Sequence, residues 1–326
     1  MAGTGLVLGA GGVTGEAFHR GVLRALRDVA GWDARSAPLI VGTSAGALVA
    51  ASLRSPGAEA TGDRGLDDVA AGVPDGRLAP LPALGVLAAA ARRPWRARLG
   101  VLASSVVPPW GQSTDFLTDG LVRRFGDDWP DRDLWVTAVR RRDGRRIVFG
   151  RPGAPPVTVA EAVSASCAVP GVFRPVVAAG EAYVDGGAHS PTNADALLRG
   201  TDDLDLAIVS APMAVSLRGV RPTLDLSLRL LWRRYLAEEV VRLRRRGVAV
   251  WTFTPGGRLL AVLGVNPLRA ERVDEVEELA YASACREVEQ RLEAGGTLVP
   301  SPSAPARGPE RSATERPARR LGTRSA

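Results

Sequence analysis

The sequence predicts an α/β fold, a three-layer α/β/α sandwich with a mainly parallel central sheet. Two strand–loop–helix units follow each other near the amino terminus, the first beginning at Gly5 and the second at Leu39. Further along, residues 204–210 and 248–253 are mostly apolar and are predicted to be buried strands. Strands of a parallel sheet are covered by helices on both faces and therefore have this composition.

The first unit runs from a short apolar strand into a glycine-rich loop and then into an amphipathic helix. The loop reads Gly9-Ala10-Gly11-Gly12-Val13-Thr14-Gly15. Consecutive glycines at a helix start can turn several backbone N–H groups towards one point and so create an anion site. Such a site serves either a dinucleotide, with an acid at the end of the next strand, or the oxyanion of a tetrahedral intermediate. The next strand ends in Gly42-Thr43-Ser44 without an acid, which favours the oxyanion hole.

The second unit places a serine between two glycines, in the order Gly42-Thr43-Ser44-Ala45-Gly46. It follows a short apolar strand and precedes an Ala- and Leu-rich segment that suits a buried helix. A strand that turns sharply into a helix leaves no room for side chains two positions either side of the turning residue. The pattern therefore predicts an exposed nucleophile, Ser44. The alternative is a tight turn whose serine caps the helix.

A third motif delivers an aspartate at the end of a short strand, in the order Tyr183-Val184-Asp185-Gly186-Gly187. A serine nucleophile needs a base, and a positioned carboxylate can accept its proton in place of histidine if the pKa suits. Taken alone, Asp-Gly-Gly is also typical of a β-turn.

These motifs, in this order, resemble the patatin-like phospholipase family over about residues 5 to 210. The small residues of 162–166 and the Phe-x-Pro at 173–175 fit the same resemblance, and Pro191-Thr192-Asn193 is similar to the family's asparagine–proline region with the order changed. The resemblance implies a Ser44–Asp185 dyad that hydrolyses acyl esters of phospholipids or lysophospholipids, with no cofactor, no metal and no catalytic histidine. It also implies an oxyanion hole at Gly11 and Gly12. The supporting glycines are Gly9, Gly15, Gly42, Gly46, Gly186 and Gly187.

The glycine loop departs from the family pattern, which usually reads Asp-Gly-Gly-Gly-x-Arg-Gly. Here Gly9, Ala10 and Thr14 replace the aspartate, the first glycine and the arginine. A fixed positive charge beside the loop is lost, which leaves open how active the site is. Two alternatives therefore stand: a catalytically weak lipid-binding or interaction protein that retains the fold, and an esterase for small soluble substrates.

Charge and hydropathy indicate how the chain is divided and where the protein is located. We expect one acyl-hydrolase domain over residues 1–296 and a disordered basic tail over 297–326, which holds six arginines against two glutamates. The net charge is +7. Neither a signal peptide nor a membrane span is evident, so we expect a cytoplasmic protein that can lie peripherally at the membrane. The expected partner is a lipid or membrane surface and not nucleic acid; the sequence does not indicate an oligomeric state.

Three further features admit more than one interpretation. The apolar, arginine-flanked segment 81–109 suits either an interfacial lid or an ordinary buried helix. In a helix around 228–243, a stripe from Leu228 to Leu243 is expected to pack on the sheet, with Arg229 on the opposite face. His19 is interpreted as an ordinary helix residue, and His189 would have to fold back across a turn to form a triad.

Overall fold

The computed structural model describes residues 3–55, 98, 101, 113–200, 204–217, 225–264, 266–268 and 270–298. The predicted tail and almost all of segment 81–109 lie outside these residues. The helices are α1 (Gly12–Ala30), α2 (Ala45–Arg54), α3 (Asp115–Phe125), α4 (Val159–Cys167), α5 (Leu226–Arg244), α6 (Gly257–Leu263) and α7 (Val273–Glu293). Short 3₁₀ helices cover Ala34–Ser36, Gly186–Ala188 and Ala194–Arg199.

Within the described residues, eight strands form one sheet. They are β1 (Gly3–Leu8), β2 (Leu39–Gly42), β3 (Asp133–Arg140), β4 (Arg145–Phe149), β5 (Val176–Ala178), β6 (Glu181–Asp185), β7 (Leu204–Ser210) and β8 (Ala249–Phe253). The order is β5-β6-β3-β2-β1-β7-β8, with β4 also paired to β3. The pairings from β3 through β2, β1 and β7 to β8 are all parallel, whereas β4, β5 and β6 join antiparallel. The predicted mainly parallel sheet is confirmed.

Helices cover both faces of this sheet because alternate strand residues point to opposite sides. Leu6, Leu8 and Ile40 belong to a buried cluster with residues of α1, α2, α4 and α7. Val7 and Val41 belong to a second cluster with residues of α5 and of the 3₁₀ helix Ala194–Arg199. The three-layer α/β/α sandwich is therefore confirmed.

The predicted packing of α5 is right in its middle and wrong at its amino-terminal end. Leu236, Val240 and Leu243 are buried against the sheet. Leu228, however, is 45% exposed and Arg229 only 4% exposed. The Arg229 guanidinium donates to the carbonyl oxygens of Pro212 and Gly264 and pairs with Asp225. A buried charge is tolerated when it is paired and hydrogen-bonded, and these three acceptors reverse the orientation expected from hydropathy.

Candidate active site

Ser44 occupies a strained turn between β2 and α2. Its φ is 54° and its ψ is −124°, in the region that side chains rarely adopt. A Cβ on Gly42 would lie 2.5 Å from the Cα of Ala47, and one on Gly46 would lie 2.1 Å from the carbonyl oxygen of Leu8. Both glycines are therefore sterically required. Although Ser44 precedes α2, its side chain makes no capping hydrogen bond, so the alternative of a helix-capping serine is wrong.

Asp185 ends β6 and lies beside Ser44. Strand β3 runs between the two residues, with Gly42 opposite Val136 and Asp185 opposite Ala138. Ser44 and Asp185 are only 6% and 5% exposed, so the prediction of an exposed nucleophile is wrong: the packing of the surrounding elements buries the turn. Burial raises the pKa of the Asp185 carboxyl to about 6, against the opposing effect of hydrogen bonds from the Ser44 side chain and the Gly187 amide. The Gly187 N–H donates to Oδ1 over 2.6 Å. The two buried side chains thus lie close enough to interact, and the pKa of the acid is raised towards neutrality.

The glycine loop packs on the elbow and presents two free amides. The amides of Gly9 and Ala10 donate to the carbonyl oxygens of Ser210 (3.0 Å) and Pro191 (2.7 Å), which fixes the start of the loop. Within the described part of the chain, the N–H groups of Gly11 and Gly12 donate to no other group. Gly12 has a φ of +59°, and a Cβ on Gly11 would lie 2.6 Å from the Cα of Gly15. Both positions therefore require glycine, and both amides are available to an anion.

Thr14 stands where the family pattern has an arginine. It contacts a loop that follows α6. Its backbone N–H lies 3.2 Å and its hydroxyl 3.4 Å from the carbonyl oxygen of Pro267. The same oxygen would lie 2.6 Å from a Cβ on Gly12. Position 14 therefore fastens residues 266–268 against the glycine loop instead of supplying a positive charge.

The backbone of the elbow is held by a serine whose role the sequence did not reveal. The Ser44 N–H donates to Oγ of Ser166 over 2.8 Å, and that hydroxyl donates to the carbonyl oxygen of Thr137 over 2.7 Å. Ser166 lies in α4, within the run of small residues that matched the family pattern. Its hydroxyl connects the nucleophile's backbone to β3.

Asn193 connects the elbow to the loop after Asp185. Its side-chain amide lies 3.2 Å from the hydroxyls of Thr43 and Thr137 and 3.2 Å from the carbonyl oxygen of Gly186. Its φ of 50° is unusual for a residue other than glycine. One side chain therefore contacts the residue before Ser44 and the residue after Asp185, and it fixes their separation.

His19 holds the start of the glycine loop through a hydrogen bond to the Gly9 carbonyl oxygen. It is fully buried, with Nε2 2.8 Å from the carbonyl oxygen of Gly9 and Nδ1 2.7 Å from Oγ of Ser210. A carbonyl oxygen only accepts, so Nε2 carries the proton and the Ser210 hydroxyl donates to Nδ1. Burial lowers the pKa of His19 to about 4, which keeps the ring neutral near pH 7. His19 is thus more than the ordinary helix residue that the sequence suggested.

His189 does not join the Ser44–Asp185 pair. Among the described residues, its ring makes no hydrogen bond to either side chain. Burial and the positive charges of Arg146 and Arg98 lower the pKa of His189 to about 3. The ring is therefore neutral at physiological pH and lies towards an arginine cluster.

Cys167 adjoins the same site. Burial, and then the negative charges of Asp185 and Glu16, raise the pKa of its thiol, and the nearby Ser44 hydroxyl opposes this only in part. A thiolate is the reactive form of cysteine, so this thiol is a poor competing nucleophile.

Within the described ranges, no cluster of three or more His, Cys, Asp or Glu side chains could hold a metal ion. No helix in those ranges is long and apolar enough to cross a membrane.

Comparison with known proteins identifies the family of the chain. No curated protein sequence matches the chain. Among solved structures, VipD from Legionella pneumophila aligns with 89% of this chain and 67% of its own, at 14% sequence identity and a TM-score of 0.41. The family model described as patatin-like phospholipase matches residues 6–198, which include the glycine loop, the serine elbow and Asp185. The chain belongs to the patatin-like phospholipase family.

Proposed function

We propose that the protein hydrolyses acyl esters of phospholipids or lysophospholipids with Ser44 as nucleophile and Asp185 as its base. The family supports lipid acyl hydrolysis as the general class of activity. The observation that carries the finer proposal is the burial of Ser44 beside Asp185 at a strained elbow, with the pKa of the Asp185 carboxyl raised to about 6. A nucleophile bonded to a base that titrates near neutrality is the arrangement that hydroxyl activation requires.

In the first half-reaction, Oγ of Ser44 attacks the ester carbonyl carbon and its proton passes to Asp185. The negative charge that develops on the carbonyl oxygen is held by the N–H groups of Gly11 and Gly12. When the tetrahedral intermediate collapses, the bond to the alcohol breaks and Asp185 returns the proton to the leaving oxygen. The products are the free alcohol, here a lysophospholipid or glycerophosphodiester, and an acyl-Ser44 ester.

In the second half-reaction, Asp185 removes a proton from water, and the hydroxide attacks the acyl carbon of the Ser44 ester. The same two amides hold the second oxyanion. Collapse releases the carboxylic acid, and the proton on Asp185 returns to Ser44. A carboxyl pKa of about 6 suits both steps, since the group is mainly ionised at pH 7 and still able to donate.

The proposal is tested by fatty-acid release from phosphatidylcholine and lysophosphatidylcholine, with p-nitrophenyl butyrate as a small soluble ester. Wild type should act on the lipids, whereas Ser44→Ala should fall to the residual catalysis of binding and oxyanion donors. Hydrolysis of the small ester alone would favour the soluble esterase. Vesicle binding without hydrolysis of any substrate would favour the lipid-binding protein, the alternative that Thr14 supports.

A further inference from the structure

The side of α5 that faces away from the sheet carries an ordered pattern of arginines and apolar residues. At helical spacing, three apolar residues fall on one row, and two arginines flank the row on each side. All seven residues are exposed. We call this surface the α5 outer face; it consists of Leu230, Ala237 and Val241 in the row, Arg233 and Arg244 on one side, and Arg234 and Arg245 on the other.

The positive charge of this face is largely uncompensated. Arg234 pairs with Glu238 over 3.3 Å, in a contact that is mostly open to solvent. In the part of the chain that the structure describes, Arg233, Arg244 and Arg245 form no ion pair. Their guanidinium groups are therefore free to bind phosphates.

The apolar row distinguishes this face from an ordinary solvated helix surface. Leu230 is 40% exposed and Val241 46% exposed. Single exposed apolar residues are normal, but here they recur at seven- and four-residue steps between arginines. A bilayer surface satisfies both components, because apolar groups enter the acyl boundary while guanidinium groups stay with the phosphates.

The opposite side of α5 is bonded to the segment that follows Asp185. Glu239 is fully buried and accepts hydrogen bonds from the Thr192 hydroxyl (2.6 Å) and the Ala194 amide (2.9 Å). Arg242 pairs with Asp195 over 2.8 Å. One helix thus presents a basic face to solvent and holds the residues next to Asn193.

We propose that the α5 outer face docks the protein on an anionic lipid bilayer. This inference rests on the proposed function for its choice of a lipid partner, but docking is measurable without hydrolysis. Nucleic acid is the less suitable polyanion, because phosphates gain nothing from the exposed Leu230 and Val241, and the face carries no aromatic side chain for base stacking.

The test uses full-length protein with Ser44→Ala, so that vesicles stay intact. Co-sedimentation is measured with vesicles of phosphatidylcholine alone and of phosphatidylcholine mixed with phosphatidylglycerol. The charge variant replaces the four arginines of the face by glutamine, and the apolar variant combines Leu230→Ser with Val241→Ser. A matched control removes four exposed arginines elsewhere by the same change, at Arg123, Arg142, Arg145 and Arg286.

We expect the charge variant to bind mixed vesicles at least about tenfold more weakly, since every arginine near an anionic surface adds to the attraction. The apolar variant should also lose affinity, and the matched control should bind as the parent does. If the charge variant and the matched control lose equal affinity for mixed vesicles, the proposal is overturned, because binding then depends on net charge and not on this face. So would a charge variant that loses affinity for a duplex oligonucleotide but not for vesicles. Failure of wild type to hydrolyse lipid would contradict the proposed function and leave these binding results unaffected.

Discussion

The backbone N–H of Ser44 donates to the hydroxyl of Ser166 over 2.8 Å. That amide is therefore occupied and cannot stabilise an oxyanion formed at its own side chain. Among the residues that the structure describes, the amides of Gly11 and Gly12 beside the elbow have no acceptor. In the proposed mechanism, one set of contacts therefore holds the nucleophile and another holds the developing charge.

Ser166→Ala should destabilise the protein by roughly 1–3 kcal/mol and lower its activity, because it leaves the Ser44 N–H and the Thr137 carbonyl buried without partners. Ser164→Ala is the matched control. Ser164 lies two positions earlier in α4, is also fully buried, and bonds to the Thr118 hydroxyl instead of the elbow. Denaturant unfolding and esterase rates are measured on both variants. If Ser164→Ala costs as much activity as Ser166→Ala, the effect belongs to the packing of α4 and not to the elbow.

Asp185→Asn should lower the hydrolysis rate by about 10²–10⁴, the usual contribution of a general base. In the wild type, the base is inactive when protonated. Activity should therefore fall as the pH drops through about 6, the pKa of this carboxyl. The measurement is the pH dependence of kcat/KM for a soluble ester. A wild-type profile that stays flat down to pH 4 would exclude Asp185 as the base.

Asp185→Asn should make the protein more stable at high pH, although it lowers the activity. A carboxyl whose pKa is raised on folding stabilises the protein fully below its unfolded pKa, and that contribution is lost as the pH rises through about 6. Removing the charge in Asp185→Asn should therefore raise the free energy of unfolding at pH 8, on the order of 3 kcal/mol for a shift of this size. Near pH 4 the variant and the wild type should differ little.

Gly12→Ala should abolish most of the activity. Its φ is +59°, and the added Cβ would lie 2.6 Å from the carbonyl oxygen of Pro267. Gly153→Ala is a control for backbone strain alone, since Gly153 has a φ of +78° but nothing within 4 Å of the added atom. Both variants should lose about 1–2 kcal/mol from the left-handed conformation. Full activity in a folded Gly12→Ala protein would show that the glycine loop takes no part in catalysis.

Substitution of His19 should lower the activity far more than substitution of His189. His19→Ala should lower kcat more than it raises KM, because the Gly9 carbonyl loses the donor that holds the start of the oxyanion loop. His19→Gln, which offers a donor and an acceptor, should recover part of the rate. His189→Ala should keep most of the activity. A loss in folded His189→Ala equal to that of Ser44→Ala would indicate a triad and contradict the assigned base.

Local sequence patterns were sufficient for the elbow, the glycine loop and the aspartate strand, because the geometry of each is set within a few residues. The strands around them were equally predictable from short, mostly apolar runs. The contacts that align the motifs were not. Ser44 and Ser166 are 122 positions apart, and Asn193 and Thr43 are 150 apart, so their bonds exist only once the sheet has formed.

The wrong orientation at the start of α5 has a similar cause. Hydropathy places Arg229 in solvent, and only the three acceptors at Asp225, Pro212 and Gly264 make its burial favourable. For His19, helical spacing indicated a side chain near the apolar face but not its partner Ser210, which lies 191 positions away at the end of β7. The lid, the tail and the domain boundary at 296 stay predictions.

Labelling with a fluorophosphonate tests the central claim most directly, because Ser44 would attack the phosphorus, expel fluoride and become phosphonylated only if its hydroxyl is activated. We predict that peptide mass spectrometry finds the label on Ser44 in wild type and in Cys167→Ala, which removes the neighbouring thiol. Ser44→Ala should carry none, and Asp185→Asn should react far more slowly. Wild-type protein that is folded yet unlabelled at Ser44, or labelled equally well in Asp185→Asn, would contradict the Ser44–Asp185 dyad.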